Sequence, residues 1–234
     1  MPSEQPRSSG KDSLLELIPS YFQDNTAPYY IANILREAIY RGVLQEGEAL
    51  HQSQLAERLH VSPIPLREAL RLLEMEGLVD FHGRRGATVT GLTLEETREI
   101  YEMLTSLEVG VLRVALPLVS DETVASASVL LDKMEKEPDC VVWREQNVEF
   151  HNSLYDSADR PLTLDMIARL RRQVDRYIRL HLQSMREESQ RQHKKILQAV
   201  RARDMEAATA ALTFHLESTS KDLQSHMSGR IGKA

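Results

Sequence analysis

Along most of the chain, apolar residues recur every three or four positions, a spacing that predicts amphipathic helices. Residues 29–44 form one such helix, and Gly42 is a normal helix stop. Residues 53–60 form a short second helix, for which Ser53 is the predicted N-cap. The pattern therefore predicts two amphipathic helices before residue 60.

A third helix follows a tight turn at His60 and Val61. Ser62 caps it, and Pro63 occupies its first position, where a missing N–H costs nothing. Its apolar stripe falls at i, i+3, i+4 and i+7: Leu66, Ala69, Leu70 and Leu73. Helix, tight turn and helix at this spacing predict a helix-turn-helix. The segments "LVDF" and "ATVT" alternate apolar and polar residues around "HGRRG", which predicts a hairpin, or wing.

After residue 92 helical periodicity dominates. The first helix there opens with a capping box formed by Thr93 and Glu96. Further helices are predicted over residues 121–136, 141–158, 161–185, 187–202 and 204–227. The predicted fold class is mainly α, with an N-terminal winged helix-turn-helix and a C-terminal all-α antiparallel helical bundle. The predicted boundaries are a mobile arm over 1–26, a DNA-binding domain over 27–91, a helical domain over 92–228 and a tail over 229–234.

Composition narrows the class of protein. Among 234 residues, 41 % are hydrophobic and 27 % are charged, as in an ordinary soluble protein. The single cysteine, Cys140, excludes an intramolecular disulfide and fits a reducing cytoplasm. We see no secretory signal pattern and no apolar run near the roughly 18 residues of a membrane span, so a cytoplasmic protein without a membrane partner is predicted.

Charge argues against non-specific coating of nucleic acid, because the net charge is −6. Residues 27–91 alone carry seven Lys and Arg against eight Asp and Glu, so they lack the basic surplus usual in DNA-binding domains. Any attraction to DNA must come from local placement, and two copies on one site would strengthen it.

The positions of individual basic residues in this domain do favour DNA binding. Arg67 and Arg71 lie off the apolar stripe of the third helix, and His82, Arg84 and Arg85 lie at the tip of the hairpin. The plainer alternative is a three-helix core with a hairpin lid. A helix pair of this geometry places its second helix in the major groove, while a helix N-terminus and wing arginines hold phosphates.

The stretch "VSPIPLREALRLLEMEGLV…GRRGATV" resembles the winged helix of the GntR family of bacterial repressors. The resemblance implies a homodimer on a palindromic double-stranded operator. It assigns DNA contacts to Arg67 in the recognition helix and to His82 and Gly83 in the wing. Position alone adds Ser62, Arg71, Arg84 and Arg85. The family's arginine after V-S is Pro63 here, so one usual base contact is missing.

In the second domain, "FHNSLYDSADRPL", "HKKILQAVRARDMEAA" and "FHLEST" are similar to segments of the ligand-sensing FCD domain of the FadR-type branch. Asn147 and His151 are i and i+4 on one helix, so they point to the same side. His193 and His215 lie on two later helices. The resemblance makes these four residues a divalent-metal site for zinc, nickel or manganese, with Asn147 where the branch has aspartate. A polar cluster around buried water is the alternative.

The resemblance also implies a small-molecule effector, often a carboxylate that completes the metal's coordination. The branch supplies an arginine in an E-x-R-x-x-L-E pattern, but Leu104 stands at that position. Arg172, Arg176 and Arg179 follow one another at i, i+4 and i+7 on the long helix. They are the candidate replacements, Arg172 and Arg176 first, and the alternative is a solvated face. A neutral or more apolar effector is the other possibility for this domain.

Three functions are compatible with these patterns. The leading one is a ligand-responsive transcriptional regulator, with repression as the family default. A metal-dependent enzyme in the bundle is disfavoured, because Glu149 points away from His151 and the winged helix would be unexplained. The third is an effector-free DNA-binding dimer, in which the bundle serves only to dimerise.

Overall fold

The computed structural model describes residues 27–231, apart from the side chains of residues 176, 180 and 229–231. Contacts within the chain divide it after Gly91, and a second unit begins at Leu92. The arm over 1–26 and the end of the tail, 232–234, lie outside the described residues. The mainly α class with a small wing is confirmed.

The first unit combines three helices with a three-stranded sheet. Its elements are α1 (Ala27–Tyr40), β1 (Ala49–Leu50), α2 (Gln52–Leu59), α3 (Pro63–Met75), β2 (Val79–Phe81) and β3 (Ala87–Val89). The strands are antiparallel in the order β1-β3-β2, with β2 and β3 as the predicted hairpin. The apolar faces of α1 and α3 pack together in the core of the first unit. The residues there that have no exposed surface include Ile31, Leu35, Leu66, Leu70 and Leu73.

The turn between α2 and α3 is tight because one residue adopts a left-handed conformation. His60 has φ of 53°, and the N–H of Val61 donates to the carbonyl of Ala56 at 3.0 Å. Pro63 begins α3, as predicted, and Ser62 precedes it at the N-cap position. The prediction of Ser53 as the N-cap of α2 was wrong, because this helix begins at Gln52 and its N-cap is His51, which follows the paired residues of β1.

The turn of the wing is held by a close backbone approach. The N–H of His82 donates to the carbonyl of Gly86 at 2.8 Å. Gly86 has φ of 111°, and a Cβ there would lie 2.0 Å from the carbonyl oxygen of Leu50. Only glycine fits this position, because the turn passes directly over the backbone of β1.

The second unit is all-helical. Its helices are α4 (Leu94–Ala115), α5 (Asp121–Lys136), α6 (Cys140–Tyr155), α7 (Pro161–Arg201) and α8 (Met205–Ile231), with a 3₁₀ turn at Asp156–Ala158. The predicted capping box opens α4: the Thr93 hydroxyl accepts from the Glu96 N–H at 3.1 Å, and the Glu96 carboxylate accepts from the Thr93 N–H at 2.8 Å.

The prediction of two helices over 161–185 and 187–202 was wrong. Helix α7 runs through residues 186–191 without a break, because "REESQR" contains no glycine or proline and its residues tolerate a helix. The helix after it continues to Ile231. None of the helices within residues 27–231 has the length and apolarity needed to cross a membrane.

Candidate functional site

Helix α3 presents Arg67 and Arg71 on the side opposite its buried stripe. Arg71 is exposed, and its Nη1 lies 3.5 Å from Glu68 Oε1. Arg67 is half-buried, and its Nε is shielded from solvent without an acceptor among the residues that the structure describes. Buried N–H groups are nearly always hydrogen-bonded. The Arg67 Nε is therefore available to an acceptor from outside the described residues.

The wing brings its arginines to the beginning of the recognition helix. Arg84 and Arg85 are exposed in a 3₁₀ turn, and the Gln52 side-chain amide donates to the carbonyl of Gly83 at 2.7 Å. A groove of about 420 Å³ runs between the first residues of α2, Pro63 and these two arginines. The exposed His82 ring is held by Thr88, with Nε2 3.0 Å from its Oγ1. The first unit thus has a cation-lined groove beside α3.

Three histidines predicted as metal ligands meet inside the helical unit. His151 on α6, His193 on α7 and His215 on α8 are all buried, with nitrogen atoms within 4.8 Å of one another. His193 Nε2 lies 3.3 Å from His215 Nε2. The Nδ1 atoms of His151 and His193 are buried with no hydrogen-bond partner among the described residues. Ring nitrogens are therefore available to a ligand at this point.

A glutamine that the sequence reasoning missed sets the tautomer of His215. Its Nδ1 lies 2.8 Å from Gln192 Oε1, which can only accept a hydrogen bond, so Nδ1 carries the proton. The Gln192 amide is oriented by donating to Glu188 Oε1 at 2.9 Å, since a carboxylate only accepts. Nε2 of His215 is consequently unprotonated, as a metal ligand must be.

Burial keeps the histidines neutral. Burial, reinforced by nearby Arg171, lowers the pKa of His215 to about 3. Burial also holds the pKa values of His151 and His193 well below the ordinary histidine value, with further lowering by neighbouring cationic groups. Each of the three neutral rings therefore keeps one unprotonated nitrogen near neutral pH.

A small cavity adjoins the histidines. Its volume is about 50 Å³, and its polar lining includes Asn147, His151 and His215. Asn147 therefore faces the same space as two of the histidines, as the i and i+4 spacing predicts. The remaining wall is largely apolar and contains Tyr101, Leu104, Trp143, Val174, Ile178, Leu182, Met185 and Leu216.

A buried ion pair forms another part of this wall. The Glu108 carboxylate, with no exposed surface, accepts from Arg171 Nε at 2.9 Å and from Arg171 Nη2 at 2.6 Å. The Tyr155 hydroxyl donates to Glu108 Oε2 at 2.8 Å. Burial and then the Glu108 charge raise the pKa of Tyr155 well above its ordinary value, so the phenol stays protonated and donates. The Arg171 cation is matched by one carboxylate.

A second arginine at the cavity shares its counter-ion. Arg144 Nε donates to Asp175 Oδ1 at 2.8 Å, and Arg179 Nε donates to Asp175 Oδ2 at 2.7 Å. The Arg144 side chain is only 6 % exposed, and no hydrogen bond from its Nη groups occurs within the described part of the chain. One carboxylate thus faces two guanidinium groups, and Arg144 is the member of this trio that lines the cavity.

Arg172, one of the two predicted effector arginines, does not line the cavity. Arg172 is exposed and lines an outer groove of about 380 Å³, because it follows Arg171 and points about 100° further around the helix. The side chain of Arg176 lies outside the described residues. Arg144 and Arg171 line both this groove and the cavity. They are the cations at the cavity that the sequence reasoning missed.

Only Glu108 had a usable signal in the sequence. It lies four residues after Leu104 on the apolar stripe of α4, where a charged residue requires a buried partner. Arg171 has no such signal, because α7 carries several arginines at similar spacing. Arg144 is the single arginine of α6, and its spacing alone does not mark it as buried.

Comparisons with known proteins identify both units. The model for bacterial regulatory proteins of the gntR family matches residues 30–89, and the model for the FCD domain matches residues 99–218. The gluconate operon transcriptional repressor of Bacillus licheniformis is 30 % identical, over 71 % of this chain and 70 % of that protein. The uncharacterized HTH-type transcriptional regulator YdhC of Bacillus subtilis is 28 % identical, over 82 % of this chain and 89 % of that protein.

A solved structure extends the likeness to the whole chain. The crystal structure of a GntR-family transcriptional regulator from Pseudomonas syringae has a TM-score of 0.55 and 29 % sequence identity. The match covers 99 % of this chain and 100 % of that one. The same order of winged helix and helical domain therefore occurs in a related regulator.

The depressed pKa values of the three histidines make the stability of the metal-free protein depend on pH. Below about pH 6.5 the unfolded chain takes up protons that the folded histidines do not. We expect the free energy of unfolding to decrease as the pH is lowered, by up to about 1.4 kcal/mol per pH unit for each histidine. Urea unfolding of chelator-treated protein near pH 7 and pH 5 measures this slope.

Substitution of a buried histidine should make that dependence shallower. His193→Gln removes one of the depressed groups, whereas His51→Gln changes an exposed histidine and serves as the matched control. Equal slopes for His193→Gln and the parent protein would contradict the assignment of the pH dependence to this cluster.

Proposed function

Because this chain belongs to the GntR family and carries its FCD domain, it is a DNA-binding transcriptional regulator with an effector-binding helical domain, and we propose that it binds a palindromic operator as a homodimer. Repressors among its relatives favour repression as its mode of regulation. The observation that carries operator binding is the α3 face with Arg67 beside the arginines of the wing. The buried histidine cluster beside a cavity that Arg144 and Arg171 also line supports the effector site.

Operator binding is proposed to use the face of α3 that presents Arg67 and Arg71, with the wing residues against the backbone. The shielded, unpartnered Nε of Arg67 supports a base or phosphate acceptor for its guanidinium. Arg84 and Arg85 supply phosphate contacts from the adjacent groove. Since residues 27–91 have no basic surplus, two chains per operator provide the electrostatic attraction that one lacks.

Arg67→Ala should weaken operator binding at least about tenfold, because a charged contact to DNA is lost while the core stays intact. Arg41→Ala removes the same charge from an exposed position after α1 and should bind normally. Fluorescence anisotropy on a duplex selected by the full-length protein measures both, and titration gives the number of chains per duplex. Wild-type affinity in Arg67→Ala would contradict this recognition face.

A divalent metal is proposed to occupy the histidine cluster. Nitrogen ligands at 2.0–2.1 Å from a tetrahedral Zn²⁺ lie about 3.4 Å apart, and the Nε2 atoms of His193 and His215 are separated by 3.3 Å. His151 would provide the third nitrogen, and the Asn147 carbonyl oxygen a further, neutral ligand. Bound there, the ion would act as a Lewis acid toward an oxygen of the effector.

Protein purified without chelator should contain about one equivalent of zinc, nickel or manganese per chain. His151→Ala/His193→Ala should lose it, because two ligands are removed. His181 and His226 are two other histidines of the second unit, and their rings stack with a centroid distance of 4.4 Å. The control variant His181→Ala/His226→Ala should retain the metal. Elemental analysis measures the content. Absence of metal in the parent protein and in both variants would indicate that the cluster is a polar core around water.

The proposed effector is a small anion with a largely apolar body. Leu104 stands where this branch of the family has an arginine, and Asn147 stands where it has an aspartate. One positive and one negative charge are therefore both missing, and the formal charge of the cavity is the same as in the branch pattern. Arg144 supplies the cation from a different helix, since Asp175, its carboxylate partner among the described residues, is shared with Arg179. The aromatic and aliphatic wall suits an apolar body.

Effector binding is proposed to move the walls of the cavity. A volume of about 50 Å³ is far below the roughly 300 Å³ at which small-molecule pockets begin. An effector larger than a few atoms therefore selects a more open arrangement of α4, α6 and α7. Such a difference in affinity between two arrangements is what allows an effector to change DNA binding.

Arg144→Gln should weaken binding of a small carboxylate about tenfold or more, because a buried charge-assisted hydrogen bond is lost. Arg172→Gln, on the same outer groove but off the cavity, is the matched control and should bind normally. Gluconate, citrate and benzoate, tested by calorimetry on metal-loaded protein, cover polar and apolar bodies. Equal affinity in the two variants would contradict the role of Arg144.

The rival functions make different predictions in the same experiments. An enzyme would need a general base at the metal, but Glu149 is exposed and does not line the cavity. An effector-free dimer would bind its operator and none of the three carboxylates.

A further inference from the structure

Ile64 is exposed at the amino-terminal end of α3. Its relative exposure is 75 %, whereas Leu66, Leu70 and Leu73 on the same helix have none. The core of the first unit is therefore complete without the Ile64 side chain. An isoleucine in open solvent gains nothing from the hydrophobic effect until another apolar surface covers it.

Ile64 shares a face with the residues proposed to contact DNA. Arg67, Glu68 and Arg71 follow it at i+3, i+4 and i+7, so the four side chains form one stripe opposite the core. A winged helix-turn-helix inserts this face into the major groove, with the amino-terminal end of the helix nearest the bases. Ile64 lies at that end, one turn before Arg67.

The residues around Ile64 offer few hydrogen-bond donors. Pro63 and Pro65 have no N–H and no polar side-chain atom, so two of the free donors that a helix normally has in its first turn are missing. Side-chain hydrogen bonding to a base edge is excluded at all three positions. Apolar contact is the recognition chemistry that remains for this turn of the helix.

The major groove has one apolar group that distinguishes a base, the 5-methyl group of thymine. Isoleucine suits it, because a β-branched side chain in a helix has one strongly preferred χ1 rotamer and loses little freedom on contact. We propose that Ile64 reads one thymine in each operator half-site through its 5-methyl group. This inference rests on the proposed placement of the α3 face in the major groove.

Replacement of thymine by deoxyuridine tests the inference, because it removes only the methyl group. Duplexes selected by the full-length protein would be resynthesised with each thymine changed in turn, symmetrically in both half-sites. At one position we expect about a fourfold loss of affinity per half-site, and so about 15-fold for the symmetric pair. Ile64→Ala should bind the thymine and uracil duplexes equally well.

Met75→Ala is the matched control, since Met75 is 77 % exposed at the opposite end of α3. It should discriminate thymine from uracil as the parent protein does. Equal binding of both duplexes by the parent protein at every position, or discrimination that persists in Ile64→Ala, would overturn the role of Ile64. Wild-type affinity in Arg67→Ala would instead overturn the recognition face, and the inference with it.

Discussion

The enclosed carboxylate of Glu108 is the constraint on which the helical unit depends. It accepts two hydrogen bonds from Arg171 and one from Tyr155, and so joins α4, α7 and α6. A buried charge that loses its partner costs about 3–5 kcal/mol, so these helices are held in one arrangement. His151 lies one turn before Tyr155 on α6, and its position is set by the same anchor.

The Glu108–Arg171 ion pair also distinguishes the two arginines that line the cavity. Arg171 is matched by its own carboxylate and serves mainly to hold the wall of the cavity. Arg144, beside the cavity, shares the Asp175 carboxylate with Arg179. The neutral imidazoles and the neutral Asn147 would leave the charge of the proposed divalent metal uncompensated. Both features favour an anionic ligand, although Leu104 stands where this branch of the family has an arginine.

The winged helix could be predicted almost residue by residue, because its signals are local. Proline at the first position of α3 and the short turn between β2 and β3 each act within a few residues. The Thr93 capping box at the start of the helical unit is a local signal of the same kind. The errors arose where distant residues decide. The beginning of α2 depends on the pairing of β1 with β3, in which Ala49 lies opposite Thr88, 39 residues later, and Leu50 lies opposite Ala87, 37 residues later. The length of α7 depends on packing along the whole helix, and residues 186–191 contain no glycine or proline that would interrupt it.

By itself, the sequence determined the fold class, the face of α3 turned away from the core and the identity of the three buried histidines. Helical periodicity, capping residues and a family resemblance carry that information within short stretches. Only the tertiary structure decided which arginine reaches the cavity. Arg144 meets Asp175 across 31 residues and Arg171 meets Glu108 across 63, whereas Arg172 points outward. The physical reason is that helical spacing specifies a side chain's direction around its own axis, but the neighbours that enclose it come from other helices.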